Sequence, residues 1–221
     1  MTRAPATQRE RMVATQLRDR GIRSAAVLAA MGSVPREAFV ERGFEDEAYD
    51  DAALPIGEGQ TISQPYIVAL MAEAAEVGPG DEVLEVGAGS GYAAAVLGRL
   101  AAHVTAVERH AVLAEGARRR LAALGVANVD VVVGDGTLGW PAGGRFDAIL
   151  VAAGGPEVPP ALKAQLADGG RLVMPIGEPR HQQLVKLTRH GEADFEQELI
   201  ADVAFVPLVG AQGWPDEEAG R

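Results

Sequence analysis

Glu85 stands two residues before the first glycine of Val83-Leu84-Glu85-Val86-Gly87-Ala88-Gly89-Ser90-Gly91-Tyr92, a stretch with three glycines spaced two apart. An apolar run of strand-forming residues feeds into the glycines, and a helix-compatible run follows at residues 93–100. Strand, tight glycine turn and helix is how α/β proteins bring backbone N–H groups and a helix N-terminus up to a nucleotide. The dinucleotide pattern Gly-x-Gly-x-x-Gly/Ala needs a small residue at position 92. That position holds Tyr92, and the glycine comes one place early, at Gly91. A carboxylate so close to the turn would face a pyrophosphate as anion to anion, but it suits a ligand with cationic groups. S-adenosylmethionine carries an ammonium and a sulfonium and no phosphate. Spacing and charge therefore favour a methyl donor over NAD.

Two more carboxylates fall where such a ligand needs them. Glu108 ends the next apolar segment, 23 residues after Glu85, where a ribose-binding acid belongs in this architecture. Asp135, in Gly134-Asp135-Gly136, follows the third segment, within reach of an adenine amino group. Each has a plainer alternative: a solvated strand-end charge for Glu108, ordinary turn chemistry for Gly-Asp-Gly. Taken together with the glycine turn, all lie at carboxyl ends of adjacent predicted strands, the ligand edge of an open α/β sheet. Ser63 stands between a glycine loop and Pro65. Its hydroxyl either caps the helix that starts there or donates to a bound carboxylate. His103, His110, His181 and His190 are scattered, with no metal-ligand spacing, so no metal is expected.

The elements that position these residues follow from periodicity and turn chemistry. Residues 1–60 read as a small helical segment: Met12, Val13, Gln16 and Leu17 mark an amphipathic stretch closed by Gly21, Ser24 can cap residues 25–31, and Ser33 precedes a turn at 35–40. Gly and Pro make residues 54–60 a predicted loop. Pro65 is placed at N1 of a helix whose apolar face is Ile67, Leu70, Met71 and Ala74. From Asp81 onward strands (82–86, 104–108, 129–133, 146–151, 171–175) alternate with helices, the clearest at 110–124. The fold class is α/β, a doubly wound, Rossmann-like methyltransferase sheet, mostly parallel. After Gly177 the segments 183–188, 195–200 and 202–207 alternate, and the first two suit an antiparallel C-terminal edge. Residues 61–210 would form the S-adenosylmethionine-binding domain and 211–221, acidic and polar apart from Trp214, a mobile tail, all in one compact unit.

Composition narrows the function classes. A net charge of −11 opposes a nucleic-acid surface, which leans on clustered Lys and Arg. With no cysteine, disulfides, thiolate metal sites and cysteine nucleophiles are excluded. Residues 1–11 lack an apolar h-region, and no run approaches the ~20 apolar residues of a membrane span. A cytoplasmic monomer with no membrane partner is expected.

The chain resembles the protein-L-isoaspartate O-methyltransferases from about Arg11 to Trp214. The resemblance is carried by Val34-Pro35-Arg36-Glu37-Ala38-Phe39-Val40, Leu54-Pro55-Ile56-Gly57, Gln60-Thr61-Ile62-Ser63-Gln64-Pro65-Tyr66, the glycine stretch, Gly134-Asp135-Gly136 and Phe205-Val206-Pro207-Leu208. The glycine motif is common to methyltransferases at large; the Gln-Thr-Ile-Ser-Gln-Pro and Phe-Val-Pro-Leu segments are specific to this family. The resemblance implies methyl transfer from S-adenosylmethionine, leaving S-adenosylhomocysteine, to the free carboxyl of L-isoaspartyl residues in damaged peptides and proteins. The ester then loses methanol to give a succinimide that reopens in part to aspartate. It implies Ser63 as the active-site serine, and Thr61, Ile62, Glu85, Gly87, Glu108, Asp135 and Gly136 on the cofactor side, with Ala88, Gly89 and Arg109 counted beside them. Pro207, Leu208 and Val209 fall with Ser63 on the substrate side. The chain departs from the family at Ala152, where Thr is common, and at Val209, where some relatives have a polar residue.

Charge chemistry supports the same reaction. An acceptor carboxylate with a reference pKa near ~4 is already the nucleophile at neutral pH, so no general base is required. An amino-group methyltransferase acting on nucleic acid would show Asn/Asp-Pro-Pro-aromatic after the fourth strand, where this chain has Ala152-Ala153-Gly154-Gly155-Pro156. A peptide-tailoring aspartate methyltransferase uses the same chemistry and stays open. A non-catalytic nucleotide-binding module would keep the glycine turn but need not keep Ser63 or Pro207.

Overall fold

Apolar strand-formers alternate with helical runs through the middle of the chain, and the computed structural model, which describes residues 4–179 and 181–216, shows where that alternation leads. The strands are β1 (Leu54–Gly57), β2 (Gln60–Ile62), β3 (Glu82–Val86), β4 (His103–Glu108), β5 (Val129–Val133), β6 (Phe146–Val151), β7 (Leu166–Glu178), β8 (His181–His190) and β9 (Asp194–Val203). The α-helices are α1 (Pro5–Arg11), which runs on as a π-helical stretch Met12–Arg18, α2 (Ala25–Ser33), α3 (Pro65–Ala74), α4 (Tyr92–Leu97), α5 (Ala111–Ala123) and α6 (Pro160–Gln165). Seven strands form one sheet in the order β5-β4-β3-β6-β7-β8-β9. Pairing is parallel from β5 to β7 and antiparallel from β7 to β9. The doubly wound sheet with an antiparallel C-terminal edge is thus observed. β3 is the strand from which the chain winds first to β4 and β5 on one side, then to β6 on the other. It is the switch point of the sheet, and its carboxyl end opens a crevice.

Both faces of the central strands are covered, as parallel sheets require. Val83 belongs to the cluster that joins the N-terminal helices, whereas Leu84 and Val86 belong to the cluster on the opposite face with Leu162, Leu172 and Met174. The N-terminal region is built into this core. Met12, Leu17, Met31 and Phe39 are fully buried, and the Phe39 ring meets Tyr92 edge-on with centroids 5.7 Å apart. Arg36, also fully buried, holds its guanidinium 4.8 Å from the Tyr92 ring centroid and donates Nε to the Ala48 carbonyl at 2.7 Å. Ser24 caps α2, accepting from the Val27 N–H at 3.3 Å.

Three local expectations change. Residues 54–60 are not a plain loop: β1 and β2 form an antiparallel hairpin with Pro55 opposite Thr61. Glu58 (φ 50) and Gly59 (φ 68) supply the two positive φ angles that such a tight turn demands, and Leu54 and Ile56 alternate inward. The strand expected at 171–175 extends to Leu166–Glu178, because Leu166 already pairs with Phe146 before a bulge. Residues 202–207 form no strand of their own. β9 ends at Val203, and the chain then crosses to make an isolated bridge between Pro207 and Gly154.

The segment expected to be a mobile tail divides. Residues 217–221 lie outside the described residues. Residues 211–216 fold back: the Trp214 N–H bonds the Leu208 carbonyl at 2.7 Å, its indole N–H bonds the Gly154 carbonyl at 3.0 Å, and Asp216 pairs with Arg109 at 2.7 Å. The indole supplies an apolar body and one donor that help to pin this stretch.

Candidate active site

The turn after β3 can be made only by glycine-rich sequence. Gly87, Gly89 and Gly91 have φ of 90, 51 and 89 degrees, a region side chains rarely tolerate. Space is short as well: a Cβ on Gly89 would lie 3.0 Å from Ile56 Cδ1, and one on Gly91 3.0 Å from Ala117 Cβ. The Gly87 N–H bonds the Val107 carbonyl at 2.8 Å, which ties the turn to the end of β4.

A cavity of about 310 Å3 opens at this turn. Glu85, Gly87, Ala88 and Gly89 line it from β3 and the turn, Glu108 and Arg109 from the end of β4, and Gly136 from the end of β5. Thr61, Ile62 and Ser63 reach it from β2, while Pro207, Leu208 and Val209 close another side. Residues spread over nearly 150 positions of chain therefore converge on one space. Gly136 is held to glycine by packing, since a Cβ there would overlap Val86.

The two glutamates of the cavity differ in their partners. Glu108 accepts the Gly89 N–H through Oε2 and the His110 N–H through Oε1, each at 2.9 Å. Glu85 is 1% exposed, and neither carboxylate oxygen has a hydrogen-bond partner. Burial pushes the Glu85 carboxyl well above the usual carboxylate range, and the neighbouring Glu108 adds to the shift. An orphaned buried carboxyl in a glycine-walled cavity is a place prepared for a cation.

Of the expected site residues, Asp135 alone is off the wall of this cavity. It lines a neighbouring recess, which shares Arg109 and Val209 with the first. Its Oδ1 accepts from the Thr137 N–H at 2.9 Å and hydroxyl at 2.6 Å, and its Oδ2 from the Ala211 N–H at 2.8 Å. Burial, the largest single influence, raises its pKa, but the bonds from Ala211 and Thr137 outweigh it and hold the carboxyl below the ordinary value. Asp135 thus grips the C-terminal segment.

Ser63 is half-buried at the cavity and does not cap α3. The N-cap is Gln64, which makes no side-chain cap bond, and Pro65 removes the need for one donor. Sequence reasoning passed over Gln60, His110, Ala152, Ala153 and Val206, all of which line the cavity. Gln60 opens the motif that contains Ser63, and His110 follows Glu108 by two, so position in a motif was the available signal. Among the described residues no group of three or more His, Asp or Glu could hold a metal ion. No described helix is long and apolar enough to cross a membrane.

The sequence profile of the protein-L-isoaspartate(D-aspartate) O-methyltransferase family matches residues 7–213. The chain belongs to this family. A protein-L-isoaspartate O-methyltransferase 1 of Rhodopseudomonas palustris is 58% identical over 98% of this chain and 90% of its own length. A protein-L-isoaspartate O-methyltransferase of Methylorubrum populi is 62% identical over 93% of this chain and 98% of its own. Among solved structures, a protein-L-isoaspartate O-methyltransferase superposes with a TM-score of 0.84 at 32% identity, covering 93% of this chain and 67% of that one. A Plasmodium falciparum structure described as a β-aspartate methyltransferase in complex with S-adenosyl-L-homocysteine gives 0.76 at 25% identity, covering 89% of this chain and 96% of that one. Members of the family are S-adenosylmethionine-dependent O-methyltransferases, and this chain is an enzyme of that kind. The site suits the cofactor: an unpartnered buried carboxyl for a cation, a second carboxylate at the end of β4, and a turn with no side chains to obstruct close approach.

Proposed function

We propose that this enzyme methylates the free carboxyl of L-isoaspartyl residues in damaged proteins, starting their return to aspartate through a succinimide. The observation that carries the proposal is the convergence of Ser63 and the 206–209 segment, on the substrate side, with Glu85, Glu108 and the glycine turn around one cavity. When bound, S-adenosylmethionine supplies the methyl group as a cationic donor.

The chain's own residues bind, orient and exclude water. Glu108, its two oxygens each holding one backbone N–H, retains lone pairs for ribose hydroxyls. Glu85 offers the countercharge for the donor's cationic end. Thr61, Ile62, Ala88, Arg109 and Gly136 complete the cofactor side, and Asp135 acts beside it by gripping residue 211. Ser63, not spent on a cap, donates to the acceptor carboxylate and orients it. Alignment of this kind accounts for up to ~7–11 kcal/mol in good intramolecular models. Pro207, Leu208 and Val209 form an apolar wall that strips water from two reactants whose opposite charges disappear on transfer. A net charge of −11 suits a protein substrate better than a nucleic acid, and the proposal takes the enzyme as a cytoplasmic monomer without a membrane partner.

The test is the bond formed. An isoaspartyl peptide incubated with methyl-labelled S-adenosylmethionine should take up label that mild base releases as methanol. Base-stable label would contradict carboxyl methylation.

A further inference from the structure

Residues 206–209 belong to no strand of the main sheet, yet they form one wall of the cavity. One buried side chain does much to hold them. Gln182, near the start of β8, is 2% exposed, and its amide reaches Phe205. Oε1 accepts the Phe205 N–H at 2.7 Å, and Nε2 donates to the Phe205 carbonyl at 3.3 Å. The β8–β9 ladder ends where Gln182 pairs with Val203, so Phe205 lies two residues beyond the last backbone partner. The side-chain amide gives Phe205 both bonds that another strand would have given.

The same amide fixes a second surface. It packs against Gly154, where a Cβ would overlap it. Gly154 donates its N–H to the Val206 carbonyl at 2.8 Å and accepts the Leu208 N–H at 2.8 Å. Its carbonyl also takes the Trp214 indole N–H at 3.0 Å. Gln182 therefore sits where the antiparallel wing, the chain after β6 and the cavity wall meet. An apolar side chain of similar size would leave both Phe205 groups without these partners, and a carboxylate would face the Phe205 carbonyl.

We propose that Gln182 is a positioning residue for the peptide substrate: by pairing with Phe205 it keeps residues 206–209 in register with Gly154 and sets the substrate-side wall of the cavity. This rests on the isoaspartyl methyltransferase function proposed above. Gln182 makes its side-chain hydrogen bonds to Phe205 and none to Glu85, Glu108 or the glycine turn, so its effect falls on the peptide and spares the cofactor.

The test compares wild type, Gln182→Leu and Gln182→Glu by peptide kinetics at saturating S-adenosylmethionine and by calorimetric binding of S-adenosylhomocysteine. Gln182→Leu should raise the KM for an isoaspartyl peptide about tenfold, the scale of one or two net hydrogen bonds, with the cofactor-product Kd within about twofold of wild type. A glutamic acid at this position keeps both bonds only while protonated, so the KM of Gln182→Glu, relative to wild type, should climb as pH rises. A folded Gln182→Leu enzyme with wild-type KM overturns the proposal, as does one whose KM and Kd worsen together. Should Gln182→Leu fail to fold, a Gln182→Glu KM that follows wild type at every pH overturns it. A wild-type enzyme inactive on isoaspartyl peptides would instead refute the function itself, before any variant is made.

Discussion

Glu85 and Glu108 lie on adjacent strands and line the same cavity, but the protein pairs only one of them: Glu108 holds two backbone N–H groups at 2.9 Å, and Glu85, buried, holds none. The unpaired one carries the raised pKa, from burial first and Glu108 second. Arg109 turns to Asp216 and His110 lies 3.8 Å from Glu58, so neither serves as its counter-ion.

Cofactor binding should therefore release a proton. A cation placed against Glu85 favours the ionised carboxyl. Calorimetry in buffers of different ionisation enthalpy, at a pH below the α-amino pKa of ~7.7–8.0, should show net proton release on binding. Glu85→Gln should abolish it. The sign for stability follows from the same shift. The raised carboxyl keeps its proton in the folded enzyme where the unfolded chain has lost it, so stability is full below the unfolded value of ~4.3 and falls as pH climbs through the folded pKa. Ligand-free Glu85→Gln should gain on wild type over that window in denaturant melts.

Glu108 has two tasks, so its loss should be felt twice. Glu108→Ala removes the proposed ribose acceptor and frees the Gly89 and His110 N–H groups. Affinity for S-adenosylhomocysteine should fall by about 1.5–3 kcal/mol, the range for hydrogen bonds to a charged group. Calorimetry checks this; an unchanged Kd would remove Glu108 from the site.

Asp135 grips the C-terminal segment, and amide exchange can read that grip. In Asp135→Ala the Ala211 N–H loses its acceptor, and the Thr137 hydroxyl that accepts the Gln212 N–H at 3.0 Å loses its own anchor. Exchange at residues 211 and 212 should quicken, with cofactor affinity falling less than in Glu108→Ala. Undisturbed protection there would mean that other contacts hold the segment.

Ser63 is left free by Gln64 at the N-cap, and that separates two outcomes. A capping serine would cost roughly 0.5–2 kcal/mol of stability on replacement. Ser63→Ala should instead melt close to wild type while kcat/KM falls about tenfold or more, the loss of one charge-assisted hydrogen bond. A folded variant with wild-type kinetics would end the catalytic assignment.

What could be read from sequence was local. β3, its glycine turn and Glu108 were legible because strand-formers, glycine spacing and a strand-end acid signal within a few residues. The hairpin at 54–62 was missed because its Gly and Pro look like loop, although Glu58-Gly59 is a tight turn. Asp135 could not be matched to Ala211, 76 positions away, nor Gln182 to Phe205, since a side chain that replaces a strand's bonds leaves no periodic trace. Residues 211–216 are held by the Trp214 indole N–H together with Asp135, Thr137 and Arg109, partners far away in the chain, whereas in sequence Trp214 reads as a lone aromatic in an acidic tail.

Methyl transfer to a matched pair of peptides, alike except for one isoaspartyl or aspartyl linkage, tests the central claim most directly. The isoaspartyl peptide should be favoured at least about a hundredfold in kcat/KM, which needs roughly 2.7 kcal/mol of differential transition-state stabilisation. One displaced methylene, if the acceptor carboxylate sits at Ser63 and the peptide against residues 206–209 as proposed, can supply that much. Equal rates on the two peptides would contradict isoaspartyl recognition and point to a methyltransferase of ordinary aspartate.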